Sequence, residues 1–344
     1  MGTKAIKLYF RGIVLLVTIG CLILSILITR AGITSPQDKL WLQYASTLSH
    51  LLIIFNIGLI FYWVFHKKVW ALIPLLAIII NYQQLTSVVG IRFNEKATNS
   101  ESSFTVCSFN VNYFNHNKAI RAPEIAALIK NNSVEILALQ EFNAISYYNL
   151  NELIGEFDFM DYRAVYGKEK GSIGMAIFSQ YPIINSSKIK FNNSSNGFMW
   201  ADLLIDGDTV RVINTHLQTT GFYSSYNKGV KYIYRKAGEN FILRAAQAKT
   251  VRSFIDSTPY PIIVCGDFND TPYGYVYNTI RGKDLQDSFL EKGVGLGGTY
   301  RRTLNLLRID LILVSNHFKV KSHKVTSPKL SDHKPIFSEL EYQN

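Results

Sequence analysis

The chain has 344 residues, room for one large domain with an appendage, and 48% of them are hydrophobic. Its three cysteines, Cys21, Cys107 and Cys265, sit in apolar runs, which excludes a disulfide framework or a cysteine-based metal site as the organising feature. The net charge of +11 is concentrated at the front: residues 1–97 hold nine Lys/Arg against two acidic residues, leaving 27 against 23, too small an excess to argue by itself for a polyanion partner.

Gly12 to Thr29 (GIVLLVTIGCLILSILIT) carries no charge over 18 residues, about 27 Å of helix. Leu48 to Phe65 is a second such run and ends in Tyr62 and Trp63, aromatics suited to a membrane interface. A third starts at Val69 and weakens at Asn81, Gln83 and Gln84. A signal peptide would have a shorter apolar region followed by small residues, and core helices would keep a polar stripe. Three transmembrane helices are therefore predicted, at about 12–29, 48–65 and 69–89, within a membrane anchor of residues 1–93; two spans are the alternative. Lys4, Lys7 and Arg11 precede the first run, and Lys67 and Lys68 separate the second from the third. Positive-inside placement puts these in the cytoplasm, so three spans send the rest to the periplasm or cell exterior, and two return it to the cytosol.

Residues 94–103 (NEKATNSESS) read as a linker. Beyond them, apolar runs of strand length recur at 104–111, 134–141, 174–180, 199–205, 209–217, 261–268, 308–315 and 335–341. Helical patterns cover Pro123 to Asn131 and Phe241 to Asp256; in the second, Leu243, Ala246, Val251, Phe254 and Ile255 are expected inside, with Arg244, Lys249 and Arg252 in water. Many strands with few helices indicate two packed sheets with helices outside, an α/β (α+β) domain over 104–344.

The strands stop in an unusual way. FTVCSF ends in Asn110, EILALQ in Glu141, VRVINT in His216, and IIVCG in Asp267 and Asn269; Asp310 interrupts RIDLILV, and Ser331, Asp332 and His333 precede PIFSEL. One such ending is a cap or turn, but six are a pattern. A buried Asp310 needs compensation, and His333, held in one tautomer by a carboxylate, is its natural partner. Glu141 and Asp332 are hard oxygen ligands and Asn110 adds an amide oxygen, a set that suits Mg²⁺ or Mn²⁺. Phosphoester hydrolysis needs an activated water, charge stabilisation and help for the leaving group. Asp267 could orient or deprotonate the water, Asn269 and His216 could donate to phosphoryl oxygens, and His333 with Asp310 could stabilise the transition state.

The motif series SFN (108–110), LQE (139–141), NTH (214–216), GDFN (266–269), RIDLILVS (308–315) and SDH (331–333) resembles the endonuclease/exonuclease/phosphatase superfamily over about residues 103–342. The resemblance implies a four-layer αββα sandwich and Mg²⁺-dependent phosphoester hydrolysis. It puts Asn110 and Glu141 with Asp332 on the metal side, Asp267 and Asn269 in the catalytic loop, and Asp310 and His333 in a dyad. Asn214 of the NTH motif and Arg244 on the next helix are the expected substrate contacts. His216 looks more like the deoxyribonuclease and sphingomyelinase branches than the abasic-site branch.

Between His216 and Phe241, Phe222, Tyr223, Tyr226, Tyr232 and Tyr234 alternate with Lys228, Lys231, Arg235 and Lys236. Such a segment stacks on bases and neutralises phosphates, or rests on anionic headgroups, or is a solvated loop. The expected partners are thus a phosphodiester, in nucleic acid or a phospholipid headgroup, and the bilayer itself; no obligate protein partner is indicated. A nuclease-like activity leads, with a lipid or inositol phosphoesterase and a non-catalytic membrane scaffold as alternatives.

Overall fold

In the computed structural model, which describes residues 2–91, 103–116, 119–143, 149–167, 173–222, 227–303 and 305–343, the front of the chain is helical. Helix α1 (Thr3–Ile28) and helix α3 (Ser49–His66) are long and apolar enough to cross a membrane. Between them, α2 (Leu40–Thr47) is short. The region expected as a third span is instead broken into a 3₁₀ turn at Lys68–Ala71, α4 (Leu72–Ile80), α5 (Tyr82–Thr86) and a strand at Val89–Ile91. The break falls at Asn81, whose side chain Nδ2 donates to the Ala77 carbonyl, where the apolar run already weakens. Within the bundle, Trp63 Nε1 donates to Thr18 Oγ1 at 2.9 Å, tying α3 to α1.

The linker expected over 94–103 lies outside the described residues apart from Ser103, which begins a strand. From there two six-stranded sheets form. One runs, in spatial order, Leu285–Asp287, Asp310–Ser315, Ile262–Asp267, Asp208–His216, Gly197–Ile205 and Ile183–Lys190. The other runs Phe318–Val325, Ile336–Tyr342, Ser103–Asn110, Ile136–Gln140, Met175–Ser179 and Tyr162–Tyr166. All eight expected strands are present. The polar strand Ile183–Lys190 is not among the expected runs because it is a sheet edge with exposed Asn185 and Lys190, where alternation carries little hydrophobic signal.

Side-chain alternation along each strand explains the layering. Val106, Ile136, Ile177, Leu203, Val212, Ile263 and Ile312 meet between the sheets. Their neighbours Cys107, Leu137 and Phe178 turn outward to α6 (Ala122–Asn131) and α7 (Leu150–Gly155). On the other side, Ile213, Val264 and Leu311 face α8 (Val230–Asp256) and α9 (Tyr275–Arg281), with α10 (Ser288–Lys292) nearby in the chain. The result is a mixed α/β sandwich of two sheets with helices on both outer faces.

Helix α8 starts at Val230, eleven residues earlier than the sequence pattern indicated, so part of the expected aromatic–basic loop is helix. Its inner face is also rotated from the expected one: Phe241, Arg244, Ala245, Ala248, Val251 and Ile255 are buried while Ala246 is exposed. The expectation that Arg244 stays in water is therefore wrong.

The helical front segment is joined to the sandwich at several points. Val89–Ile91 pairs antiparallel with Val294–Leu296, and the Ser87 carbonyl accepts from Arg308 Nε at 2.6 Å. Tyr44 stacks on Tyr234 with ring centroids 4.4 Å apart, and the Tyr273 hydroxyl lies 3.0 Å from His50 Nδ1.

Candidate active site

Register brings the polar strand endings to one rim. In the parallel pair Ser103–Asn110 and Ile136–Gln140, Asn110 is level with Gln140, so Glu141 follows at the same edge. In the other sheet His216 is level with Asp267, and Asp267 is opposite Asp310. His333 arrives three residues before Ile336, whose strand runs antiparallel to Ser103–Asn110 with Ile336 level with Ser108. Strand direction thus gathers residues separated by more than 200 positions.

The local backbone is specialised for this. Gly266, just before Asp267, has φ +140°, and a Cβ there would lie 1.9 Å from the Thr215 carbonyl oxygen, so no other residue fits between the parallel strands. Glu141 and Asn269 adopt left-handed φ values of +56° and +51°, uncommon for residues with a side chain and characteristic of functional loops.

Asp267 is the hub. Its Oδ1 accepts from the Asn269 backbone N–H at 2.8 Å, and its Oδ2 accepts from Asn110 Nδ2 at 3.1 Å. The same Oδ2 lies 3.7 Å from His333 Nε2 and 3.6 Å from His216 Nε2. Burial raises the Asp267 carboxyl to about 6 against the pull of His333. His333 Nδ1 is 2.9 Å from Asp310 Oδ2. Burial alone would push this imidazole down, but Asp310 and Asp267 together hold it up at about 10. Tyr300 packs its ring 4.9 Å from that of His333. Burial lowers His216, which therefore favours a neutral ring.

Asn110 Nδ2 also donates to Glu141 Oε1 at 3.1 Å, while its Oδ1 accepts from the Asn112 N–H. Through its amide nitrogen Asn110 links the two carboxylates, and the second lone pair of its Oδ1 remains available to a cation. Burial pushes Glu141 upward. Asp332 is paired through Oδ2 with Arg302 Nε at 3.0 Å.

Two expected substrate contacts are placed elsewhere. Asn214 is fully buried between the sheets: its Nδ2 donates to the Leu139 and Ala176 carbonyls, and its Oδ1 accepts from Gln140 Nε2. It cross-links the sandwich and has no path to substrate. Arg244 is buried under the neighbouring loop, where Nη1 donates to the Gln218 carbonyl at 2.8 Å and to Thr220 Oγ1. It positions the wall made by Thr219 and Thr220.

A cleft of about 250 Å³ opens over this rim, lined among others by Glu141, Asp267, Asn269, Asp332 and His333. Phe222 of the expected aromatic–basic segment also lines it, together with Tyr300, Arg302 and Thr47, which the sequence reading did not single out. Tyr300 and Arg302 belong to GTYRRT, a stretch without apolar periodicity whose only signal is an arginine pair beside an aromatic. Thr47 comes from the distant front segment and carries no local signal at all.

The charge around the cleft bears on a cation. Four carboxylates, Glu141, Asp267, Asp310 and Asp332, meet Arg302 and the His333 imidazolium, an acidic surplus that a divalent ion would offset. Ligand atoms of Asp267, Asp310 and His333 lie within 4.8 Å of one another. Since His333 Nδ1 already bonds Asp310, this trio is better suited to proton handling, and the oxygen donors Glu141 and Asp332 fit a hard cation.

The profile of the Endonuclease/Exonuclease/phosphatase family matches residues 107–333. A second profile, described as a domain of unknown function, matches residues 11–88. No curated protein matches the chain. Among solved structures, an endonuclease/exonuclease/phosphatase family protein from Bacteroides thetaiotaomicron is 20% identical, covering 72% of this chain and 100% of that one at a TM-score of 0.55. A mannosyl-6-phosphatase from the same organism is 19% identical, covering 70% and 100% at 0.52. A humanized D. rerio TDP2 is 16% identical, covering 70% and 100% at 0.55. At these identities the shared property is the fold.

Proposed function

Because the chain belongs to the endonuclease/exonuclease/phosphatase family, whose members are hydrolases acting on phosphoester bonds and generally use divalent metal ions, we propose that it is a membrane-anchored, Mg²⁺- or Mn²⁺-dependent phosphoesterase. The observation that carries this reading is the buried Asp267–His333–Asp310 cluster beside Glu141 and Asp332 in one cleft.

In this reading Glu141 and Asp332 hold the cation, which when bound neutralises charge on the phosphoryl oxygens. Asp267 accepts a proton from the attacking water, aided by a carboxyl held near neutrality. The Asn269 N–H fixes one Asp267 oxygen, leaving the other toward His216 and His333. His333, kept protonated by Asp310, stabilises charge developing on phosphorus-bound oxygen or on the departing one. Asn269 lines the cleft, and His216, whose ring burial favours neutral, stands beside Asp267 with Nε2 3.6 Å from Oδ2.

We read α1 and α3 as membrane spans and the segment α4–α5, broken at Asn81, as a third crossing. The basic Lys67–Lys68 turn and the N-terminal Lys4, Lys7 and Arg11 favour a cytoplasmic end opposite the sandwich, hence a periplasmic or extracellular catalytic domain of residues 104–344 behind an anchor of residues 1–93. A reporter fused after Asn344 tests this, and cytosolic reporter activity would overturn it.

The catalytic test is hydrolysis of bis-p-nitrophenyl phosphate by the full chain with Mg²⁺ or Mn²⁺. Asp267→Ala and His333→Ala are each expected to lower turnover about 100-fold or more. Inactivity of the folded chain toward this ester, nucleic acid and phospholipid alike would instead support a non-catalytic scaffold.

A further inference from the structure

Thr47, the last residue of α2, forms part of the cleft wall together with Glu141, Asp267 and His333. Helix α3 begins two residues later. Leu48 and Leu51 at that junction are 57% and 56% exposed, and Trp41 on α2 is exposed as well. Only Leu48 lies between Thr47 and the start of α3, so the cleft wall adjoins the end of that helix. If α3 crosses a bilayer, the cleft mouth stands at its surface.

A second observation concerns charge. The first part of α8 carries Lys231, Arg235 and Lys236 with exposed Tyr232 and Tyr234, against Glu239. This basic–aromatic stretch is fastened to α2: Tyr44 stacks on Tyr234, and a Cβ at Gly238 would strike Leu40 and Tyr44. It therefore lies beside the same junction as the cleft wall. Basic side chains with aromatics at an interface gather anionic headgroups.

From these two features we infer that the substrate is an anionic phospholipid, which enters the cleft from the bilayer surface beside the α2–α3 junction. This rests on the phosphoesterase reading and names its substrate class. It also reverses the order reached from sequence, where a nucleic acid led. Bases would need stacking aromatics along the cleft, and among the described residues that line it only Phe222 and Tyr300 are aromatic. In the reaction, water oxygen bonds to phosphorus, one P–O ester bond breaks, and the proton taken by Asp267 passes to the departing alkoxide. Water is the only co-reactant.

The test uses the full chain in phosphatidylcholine vesicles with and without phosphatidylglycerol, supplied with Mg²⁺ or Mn²⁺. Loss of phosphatidylglycerol is followed by chromatography beside turnover of bis-p-nitrophenyl phosphate, a DNA oligonucleotide and mannose 6-phosphate. Phosphatidylglycerol is expected to be consumed faster than the oligonucleotide or the sugar phosphate. Reversing the charge at Lys231, Arg235 and Lys236 together (K231E, R235E, K236E) should lower the ratio of lipid to p-nitrophenyl ester turnover about tenfold or more. Trp41→Glu with Leu48→Glu should lower the same ratio. Faster turnover of DNA or sugar phosphate, with both variants leaving the ratio unmoved, overturns the lipid inference while the phosphoesterase reading stands. A folded chain inactive even on the p-nitrophenyl ester overturns both.

Discussion

His333 Nδ1 lies 2.9 Å from Asp310 Oδ2, and the other nitrogen of the same ring is 3.7 Å from Asp267 Oδ2. One buried imidazole thus stands between two carboxylates supplied by adjacent antiparallel strands. This arrangement keeps the ring protonated up to about pH 10. Asp310→Asn removes the nearer charge, so the imidazolium should deprotonate at lower pH. We expect turnover to fall about 100- to 10,000-fold, with the basic limb of the pH–rate profile moving down. An unmoved basic limb would detach Asp310 from this role.

Asp267 must be ionised to accept a proton, and its carboxyl is raised to about 6. Activity should therefore rise as pH climbs through about 6 and fall below it. Asp267→Asn should remove that acid limb along with most of the activity. The measurement is kcat/KM against pH, which reports groups of the free enzyme.

Glu141 and Asp332 are the oxygen donors assigned to the cation. A cation that binds only the folded chain raises its Tm, so Mn²⁺ should stabilise the protein and EDTA should abolish turnover. Glu141→Gln should raise the Mn²⁺ concentration for half-maximal stabilisation about 10- to 100-fold. A Tm indifferent to Mg²⁺ and Mn²⁺ would count against a cation in this cleft.

Arg308 and Asp287 form a buried ion pair, Nη2 to Oδ2 at 2.7 Å, and Arg308 Nε also holds the Ser87 carbonyl of the front segment. Burial pushes the Asp287 carboxyl up, but Arg308 outweighs it and keeps the group ionised. Asp287→Asn would strand a buried guanidinium and should cost about 3–5 kcal/mol, read as a lower Tm. The same contact explains why the sandwich is best assayed within the full chain: cutting the front segment away removes an acceptor from the arginine two residues before Asp310.

His323 is buried, with Nδ1 2.8 Å from Ser288 Oγ and no partner for Nε2. Burial lowers its pKa to about 3, below the ordinary value near 6.5. The folded state therefore favours the neutral ring, and its stabilising effect is complete above pH 6.5 and lost as pH falls from there toward 3. The loss is on the order of a few kcal/mol. His323→Gln should flatten Tm against pH over that window, and an unchanged acid slope would assign the sensitivity to other groups.

Several features could be read in advance because they depend on neighbours along the chain. Apolar length marked α1 and α3, strand-length apolar runs marked eight strands, and the abrupt polar endings at Asn110, Glu141, His216, Asp267 and Asp310 marked the rim. The third apolar run misled because its composition changes within one helix length, at Asn81. The inner face of α8 differs from the expected one because a buried arginine that reaches a loop carbonyl and a threonine hydroxyl looks, in sequence, like an arginine in water.

The sequence by itself determined the inventory: which residues end strands, which runs are apolar, and the family to which the motifs belong. Tertiary structure alone decided the roles within it. Asn214 and Arg244 lie near the site in sequence, yet hydrogen bonds across the sheets hold Asn214, and Arg244 is buried with its Nη1 bonded to the neighbouring loop. Thr47 lies far away in sequence, yet packing of α2 on α8 brings it to the cleft. Composition and periodicity record only what each segment would bury. Which polar groups face one another depends on the register of strands and helices that are distant in the chain, and that exists only once they pack.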